Sequence, residues 1–164
     1  MEKEFQGSFT QQEPLSEEAI EAAIKVMRHG RLHRYNVVEN ETSEVALFEQ
    51  DFANKFGAKF CLACASGGYA MTTALRAMGI EFGDKILTNG FTLAPVPGAI
   101  AAAGGEVVFV EVNDDLLIDL NDLERKIISS NSKVLLLSHM RGHICDMDLL
   151  MSLCGKYGVK VVED

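Results

Sequence analysis

Three short segments carry the residue types best suited to chemistry. In Ala65-Ser66-Gly67-Gly68, a hydroxyl and two glycines stand where the apolar stretch 59–63 gives way to a helical pattern. Two glycines at a helix N-terminus let backbone N–H groups converge on an anion, and the helix dipole favours negative charge there. No Gly-Lys-Ser/Thr follows, so this is not a Walker loop, and it is not a GxGxxG fingerprint. A tight strand-to-helix turn is the plainer reading. The second segment is Asn89-Gly90-Phe91-Thr92-Leu93, where Thr92 can donate a hydrogen bond and Phe91 is either a ligand wall or a core residue. The third is Asp164, which follows Val161-Val162-Glu163. A carboxylate at a strand end can be a helix cap, a turn residue or the acidic partner of a heterocyclic nitrogen, as a pyridoxal phosphate site requires.

Metal and redox chemistry are poorly supported, and no metal site is expected. Cys61-x-x-Cys64 has the spacing of half a zinc knuckle, but the second pair is missing and Cys61 falls in an apolar strand. It also lacks the helix-start placement of a redox pair. His139, His143 and Cys145 cluster without tetrahedral spacing. Core packing or loop structure accounts better for all of them, and His139 reads as an orienting loop histidine rather than a catalytic base.

The elements that must position these groups follow from periodicity and caps. Residues 1–15 read as an irregular lead-in. Ser16 opens a helix with Glu17 and Glu18 in its first turn and Arg28 and His29 in its last, and Gly30 ends it. Ile20, Ala23, Ile24 and Met27 give it one face expected to be buried. Residues 31–41 are a polar loop, and a second helix runs from Ser43 to Phe56 with Val45, Phe48, Phe52 and Phe56 on one stripe. Strands and helices then alternate. Strands are expected over 59–63, 84–87, 107–110, 133–137 and 159–162. Helices are expected over 67–78, weakly over 93–103, after a capping box at Asn121 and Glu124, and from Asp146 to about Tyr157. Leu123, Ile127 and Ile128 should form a buried face. This pattern predicts a three-layer α/β/α fold with a mostly parallel sheet, which binds ligands outside the carboxyl ends of its strands. Residues 1–42 form a helix-and-loop segment, and 43–164 form the N-terminal part of a larger domain.

Composition narrows the partners. The 164 residues are 48 % hydrophobic and 24 % charged, the balance of a globular chain able to bury about 70 % of its unfolded surface. A net charge of −9 without any basic block argues against nucleic acid and anionic membranes. Residues 86–105 carry no charge, yet Pro95 and Pro97 interrupt them, so no membrane span is expected. The N-terminus lacks the pattern of a signal peptide. Four cysteines in apolar contexts fit a reducing cytoplasm. An apolar strand ending in two carboxylates at residue 164 is read as a truncation.

Taken in order, the segments resemble the DegT/DnrJ/EryC1/StrS aminotransferases, fold-type-I enzymes that use pyridoxal 5'-phosphate. The resemblance runs from about residue 14 to residue 164. It includes Phe48-Glu49-Gln50-Asp51-Phe52-Ala53 with Phe56-Gly57, Ala65-Ser66-Gly67-Gly68, Gly83-Asp84, Val108-Phe109-Val110-Glu111-Val112, His139 with Gly142 and Asp146-Met147-Asp148, and Val161-Val162-Glu163-Asp164. It implies the large domain of the aspartate-aminotransferase-like fold, cut short at its C-terminus. It also implies that Ser66, Gly67 and Gly68 hold the cofactor phosphate, that Thr92 and Leu93 lie beside the ring, and that Asp164 pairs with the pyridine nitrogen. The sequence departs from the family at Gly68, where threonine is usual, at Leu93, where an aromatic is common, and at Arg141, often tyrosine.

The implied reaction moves an amino group from glutamate or glutamine to a keto-sugar or related carbonyl compound, possibly nucleotide-linked, in a cytoplasmic homodimer. A sugar dehydratase of the same superfamily, or a non-catalytic fragment or homologue, stays open. No catalytic residue is expected within this segment. The Schiff-base lysine should lie beyond Asp164, because Lys85, Lys133 and Lys160 fall at strand starts. His33, Arg34 and Tyr35 are substrate-side candidates, against the plainer reading of a solvent-exposed loop. Apolar faces left uncovered in this segment should favour self-association.

Overall fold

The computed structural model describes residues 7–8 and 10–164, so most of the expected lead-in lies within it and residues 1–6 and 9 lie outside. The chain divides into two compact units, the first ending at Ala63 and the second spanning Cys64–Asp164. No helix among the described residues is long and apolar enough to cross a membrane.

The first unit contains two helices, α1 (Glu17–His29) and α2 (Glu44–Phe56). Their ends are where local chemistry places them. Ser16 Oγ accepts the Ala19 N–H and Ser43 Oγ accepts the Ala46 N–H, both at 3.3 Å. Gly30 and Gly57 close the helices with left-handed backbones. The expected burial is not found. No residue of α1 is buried, and Met27 is 65 % exposed. On α2 only Ala53 is buried. Phe48, Phe52 and Phe56 instead pack on one another along the helix surface, with centroid separations of 5.8 and 4.5 Å. Periodicity defines an apolar stripe but cannot supply the surface that covers it. Residues 59–63, expected as a strand, take no strand conformation. The backbone N–H of Ala63 is bonded to the Glu49 carboxylate at 2.7 Å.

The second unit follows the expected alternation: α3 (Gly67–Ala77), β1 (Lys85–Asn89), α4 (Pro95–Ala103), β2 (Glu106–Val110), α5 (Leu120–Ser130), β3 (Val134–Leu137), a 3-10 turn (Met140–Gly142), α6 (Met147–Tyr157) and β4 (Lys160–Glu163). The four strands are parallel in the order β2-β1-β3-β4, with Leu87 opposite Val108 on one side and Leu135 on the other, and Leu135 opposite Val161. Successive side chains leave a strand on opposite faces. Leu87, Val110, Leu135 and Leu137 accordingly pack with Leu123, Ile127 and Leu150 of α5 and α6. Ile86, Val134 and Leu136 pack with Met71, Leu75, Val96 and Ile100 of α3 and α4. This is the three-layer α/β/α arrangement, with each fully buried Leu, Ile or Val contributing about 1.5–3 kcal/mol.

Two local expectations are corrected. The cap of α5 is Asp119, whose Oδ1 accepts the N–H groups of Asn121 at 2.8 Å and Asp122 at 3.0 Å, so the box at Asn121 does not form. Ile128 is 62 % exposed, whereas Leu123 and Ile127 are buried. One position on from Ile127, Ile128 is turned by about 100° around the helix, onto its outer side.

Gly105 joins α4 to β2 where there is no room for a side chain. A Cβ there would stand 2.6 Å from Ile86 Cδ1, 3.1 Å from the Asp84 carbonyl oxygen and 3.2 Å from Ile100 Cγ2. Two of these atoms belong to the packed core and one to the backbone, so neither layer can yield freely. Gly105→Ala should therefore destabilise the second unit by about 1–3 kcal/mol, as overpacking does. Denaturant unfolding checks this, with a lowered midpoint at unchanged slope as the expected result.

Candidate functional site

The carboxyl ends of β1, β3 and β4 are joined by side chains. Asn89 ends β1 and is buried. Its Oδ1 accepts the Ser138 N–H at 2.9 Å, and its Nδ2 donates to the carbonyl oxygens of Ser138 at 3.1 Å and Phe91 at 2.9 Å. The Gly90 N–H meanwhile donates to the Val110 carbonyl at 2.8 Å, tying the same loop to β2. Buried amides bonded to this degree hold their partners firmly, because leaving one such group unpaired costs about 1–3 kcal/mol.

Ser138 passes the connection to the end of β4. Its Oγ donates to Asp164 Oδ2 at 3.3 Å. The Asp164 N–H donates to the Leu137 carbonyl and the His139 N–H to the Asp164 carbonyl, both at 2.8 Å, so the ladder extends past the strands. His139 Nε2 lies 3.0 Å from Glu163 Oε2.

The other half of the edge is built on α3 and the loop after β1. Ser66 is the cap of α3, in an extended conformation, and its Oγ accepts the Tyr69 N–H at 3.3 Å. Gly67 and Gly68 are the first two helical residues, whose N–H groups have no carbonyl within the helix to reach. Thr72 Oγ1 donates to the Gly68 carbonyl at 2.9 Å and lies 3.4 Å from that of Ala99, which ties the start of α3 to α4. A Cβ on Gly68 would sit 3.9 Å from Pro95 Cβ. The N-termini of α3 and α4 thus lie side by side. In the intervening loop, Thr92 Oγ1 is buried without a hydrogen-bond partner, a property shared among the described residues with Thr88 Oγ1 inside β1. Phe91 is half-buried, and Leu93 is exposed.

This edge can receive an anion on helix N–H groups, a hydrogen bond at an unpaired threonine hydroxyl and a cationic nitrogen at a carboxylate. The residues present therefore fit a phosphorylated heterocycle. Sequence spacing identified Ser66, Gly67, Gly68, Thr92 and Asp164, but not the linking roles of Asn89 and Ser138. Ser138 directly follows the apolar run Val134-Leu137, and Asn89 follows Ile86-Leu87 with Thr88 between; a polar residue closing each strand is the signal the sequence offers.

His33, Arg34 and Tyr35 belong to the first unit and form a cluster of their own. The His33 and Tyr35 rings stack at 5.4 Å with an interplanar angle of 4°. Arg34 pairs with the Glu49 carboxylate, which also receives the Ala63 N–H. His33 and Arg34 line part of a cavity of about 160 Å³, bordered also by the Arg31–Glu41 ion pair. Neither Cys61 nor Cys64 is in a disulfide.

A parallel α/β unit with an anion-accepting helix start and a strand-end carboxylate defines a class of small-molecule sites. The comparisons narrow it. Residues 14–164 match the DegT/DnrJ/EryC1/StrS aminotransferase family, and the chain belongs to that family. It is 31 % identical over 147 residues to the UDP-2-acetamido-2-deoxy-3-oxo-D-glucuronate aminotransferase of Pseudomonas aeruginosa, covering 88 % of this chain and 39 % of that protein. It is 37 % identical over 122 residues to the dTDP-3-amino-3,6-dideoxy-alpha-D-galactopyranose transaminase of Aneurinibacillus thermoaerophilus, covering 74 % and 33 %. Among solved structures, S. venezuelae DesV in complex with a ketimine intermediate superposes with a TM-score of 0.74 at 29 % identity, covering 88 % of this chain and 38 % of that one. The chain thus spans less than two fifths of these relatives' length.

Glu49 gives a test of the first unit. The Arg34 guanidinium and the Ala63 N–H hold its carboxyl below the usual glutamate range. A lowered folded-state value contributes stability that is present above the unfolded-state value and is lost as pH falls through the folded one. Protection of the Ala63 amide against hydrogen exchange should therefore be high at neutral pH and fall on acidification. Glu49→Gln should reduce that protection at neutral pH and flatten its acid-side dependence, as measured by NMR.

Proposed function

We propose that these residues are part of a pyridoxal-phosphate-dependent aminotransferase acting on a keto-sugar or related carbonyl compound. The observation that carries this reading is the buried, unpaired Thr92 hydroxyl in the loop between the α3 N-terminus and the network that holds Asp164. It is a polar atom that needs a ligand, beside groups matched to a phosphate and a protonated ring nitrogen.

Each residue's part follows from its chemistry. Ser66 Oγ and the N–H groups of Gly67 and Gly68 hold the phosphate, where the helix dipole adds to the attraction. Gly68 contributes backbone alone, so the cradle has one hydroxyl fewer than the family pattern but keeps its N–H groups. Thr92 anchors the ring side, and Leu93 offers an apolar contact in place of aromatic stacking. Asp164 keeps a proton on the ring nitrogen, because a carboxylate beside a basic nitrogen favours its charged form. Bound there, the cofactor supplies a cationic ring that takes up the electron pair released when the donor's Cα–H bond breaks.

In this reading, glutamate or glutamine donates the amino group, and the acceptor is nucleotide-linked, as the names of the two aminotransferase relatives specify for them. The enzyme is a cytoplasmic homodimer, residues 43–164 are the first part of its cofactor-binding domain, and His33, Arg34 and Tyr35 face the substrate. The lysine that binds the cofactor covalently lies outside residues 1–164. Lys85 and Lys160 open β1 and β4, and Lys133 precedes β3, so all three sit at the amino edge of the sheet.

The full-length protein should bind pyridoxal phosphate with a visible absorbance band that shifts on adding the amino donor. Ser66→Ala should weaken cofactor binding by about ten- to a hundredfold, the loss of a charge-assisted hydrogen bond. Asp164→Asn should cut kcat by at least about a hundredfold, as when one preorganised electrostatic partner is removed. A protein that does not bind the cofactor, or an Asp164→Asn variant turning over at the wild-type rate, overturns the reading. Product analysis showing loss of a sugar hydroxyl without amine gain would reassign the protein as a dehydratase.

A further inference from the structure

Two adjacent carboxylates end β4, and the structure treats them differently. Glu163 is engaged by the His139 ring at 3.0 Å. Asp164 is approached by a hydroxyl instead, Ser138 Oγ at 3.3 Å from Oδ2, and its Oδ1 takes no hydrogen bond among the described residues. Neighbouring residues of a strand direct their side chains to opposite sides. The division of partners therefore matches a division of roles.

Ser138 is itself held in place. Its N–H and C=O are both bonded to the side-chain amide of Asn89, from the adjacent strand β1, at 2.9 and 3.1 Å. Asn89 is 3 % exposed and Ser138 7 %. The amide's third bond, to the Phe91 carbonyl, anchors the same clamp to the loop that carries Thr92. A connected path thus runs across three neighbouring strands, from the Thr92 loop through Asn89 and Ser138 to the Asp164 carboxylate. At 3.3 Å the last contact is longer than the usual hydroxyl–carboxylate bond.

The geometry points to Ser138 as a positioning residue that turns the Asp164 carboxylate toward the cofactor's ring nitrogen, with Asn89 locking Ser138 in place. This rests on the reading of Asp164 as the partner of that nitrogen. Ser138 acts through the Asp164 carboxylate. It occupies one carboxylate oxygen, limits rotation of the side chain and leaves the other oxygen for the nitrogen's proton.

The test uses the full-length holoenzyme loaded with pyridoxal phosphate labelled with ¹⁵N in the ring. Ser138→Ala should weaken cofactor binding about fivefold, the worth of one modest hydrogen bond, and move the ring ¹⁵N resonance toward the unprotonated position. Ser138→Thr, which keeps the hydroxyl, should restore both. Should the alanine variant fail to fold, Ser138→Cys keeps the volume with only a weak donor and should show the same changes. A merely structural role would lower stability without moving the ¹⁵N signal.

Asp164→Asn separates the two readings. If it changes affinity and the ¹⁵N signal while Ser138→Ala and Ser138→Cys leave both at wild-type values, the positioning role is overturned and the role of Asp164 stands. If Asp164→Asn changes neither, the assignment of Asp164 falls, and the role of Ser138 with it.

Discussion

A parallel ladder buried on both faces constrains everything placed around it. The side chains of β1 and β3 are committed to two apolar cores, so polar groups can be used only where the strands stop. There the backbone loses its ladder partners, and buried N–H and C=O groups must find others. Asn89 meets that need with a single amide that serves Ser138 twice and Phe91 once. The bonds that finish the sheet also hold the loop carrying Thr92 and the serine facing Asp164. Closing the sheet and building the site are one operation at this edge.

The two units show how local and non-local signals differ. Helix ends are local events, and Ser16, Ser43, Gly30 and Gly57 behave as their types dictate. Asp146 does the same in the second unit. Burial is non-local. The alternating strands of the second unit are covered because four of them and their helices occur within the same hundred residues. The stripe of Phe48, Phe52 and Phe56 has equally clear spacing, yet it stays exposed. The strand expected over 59–63 is likewise not formed, although its apolar residues suit one. The start of α5 shows a subtler version. A bridge between Val112 and Ile118, with the Asp119 N–H bonded to Glu111, fixes the preceding turn so that Asp119 rather than Asn121 meets the helix.

The site was legible in the sequence only in part. Ser66 with its glycines announces itself by type and spacing, and Asp164 and Thr92 by their places after apolar strands. The link between Asn89 and Ser138 spans 49 positions and depends on β1 and β3 being adjacent. Sequence order would put β2, not β3, beside β1 first, and β1 in fact lies between the two. Without that strand order the two small polar residues look unrelated. A serine after an apolar run is commonplace, so Ser138 stands out only once its partner Asn89 is known.

The glycines around the site separate necessity from choice. At Gly105 a side chain would strike Ile86 at 2.6 Å, so packing alone explains the residue. At Gly68 a Cβ would meet Pro95 Cβ at 3.9 Å, an ordinary contact, and at Gly67 it would meet nothing within 4 Å. Neither has a positive φ, so the backbone does not require glycine at these positions. Neither crowding nor backbone conformation therefore accounts for these two residues without side chains at the start of α3. What they provide is unshielded N–H groups at the positive end of a helix. The threonine hydroxyl usual at position 68 is exchanged for closer access to the backbone itself. In the proposed reading, the departure at Gly68 changes how the cofactor phosphate is held while preserving a place to hold it.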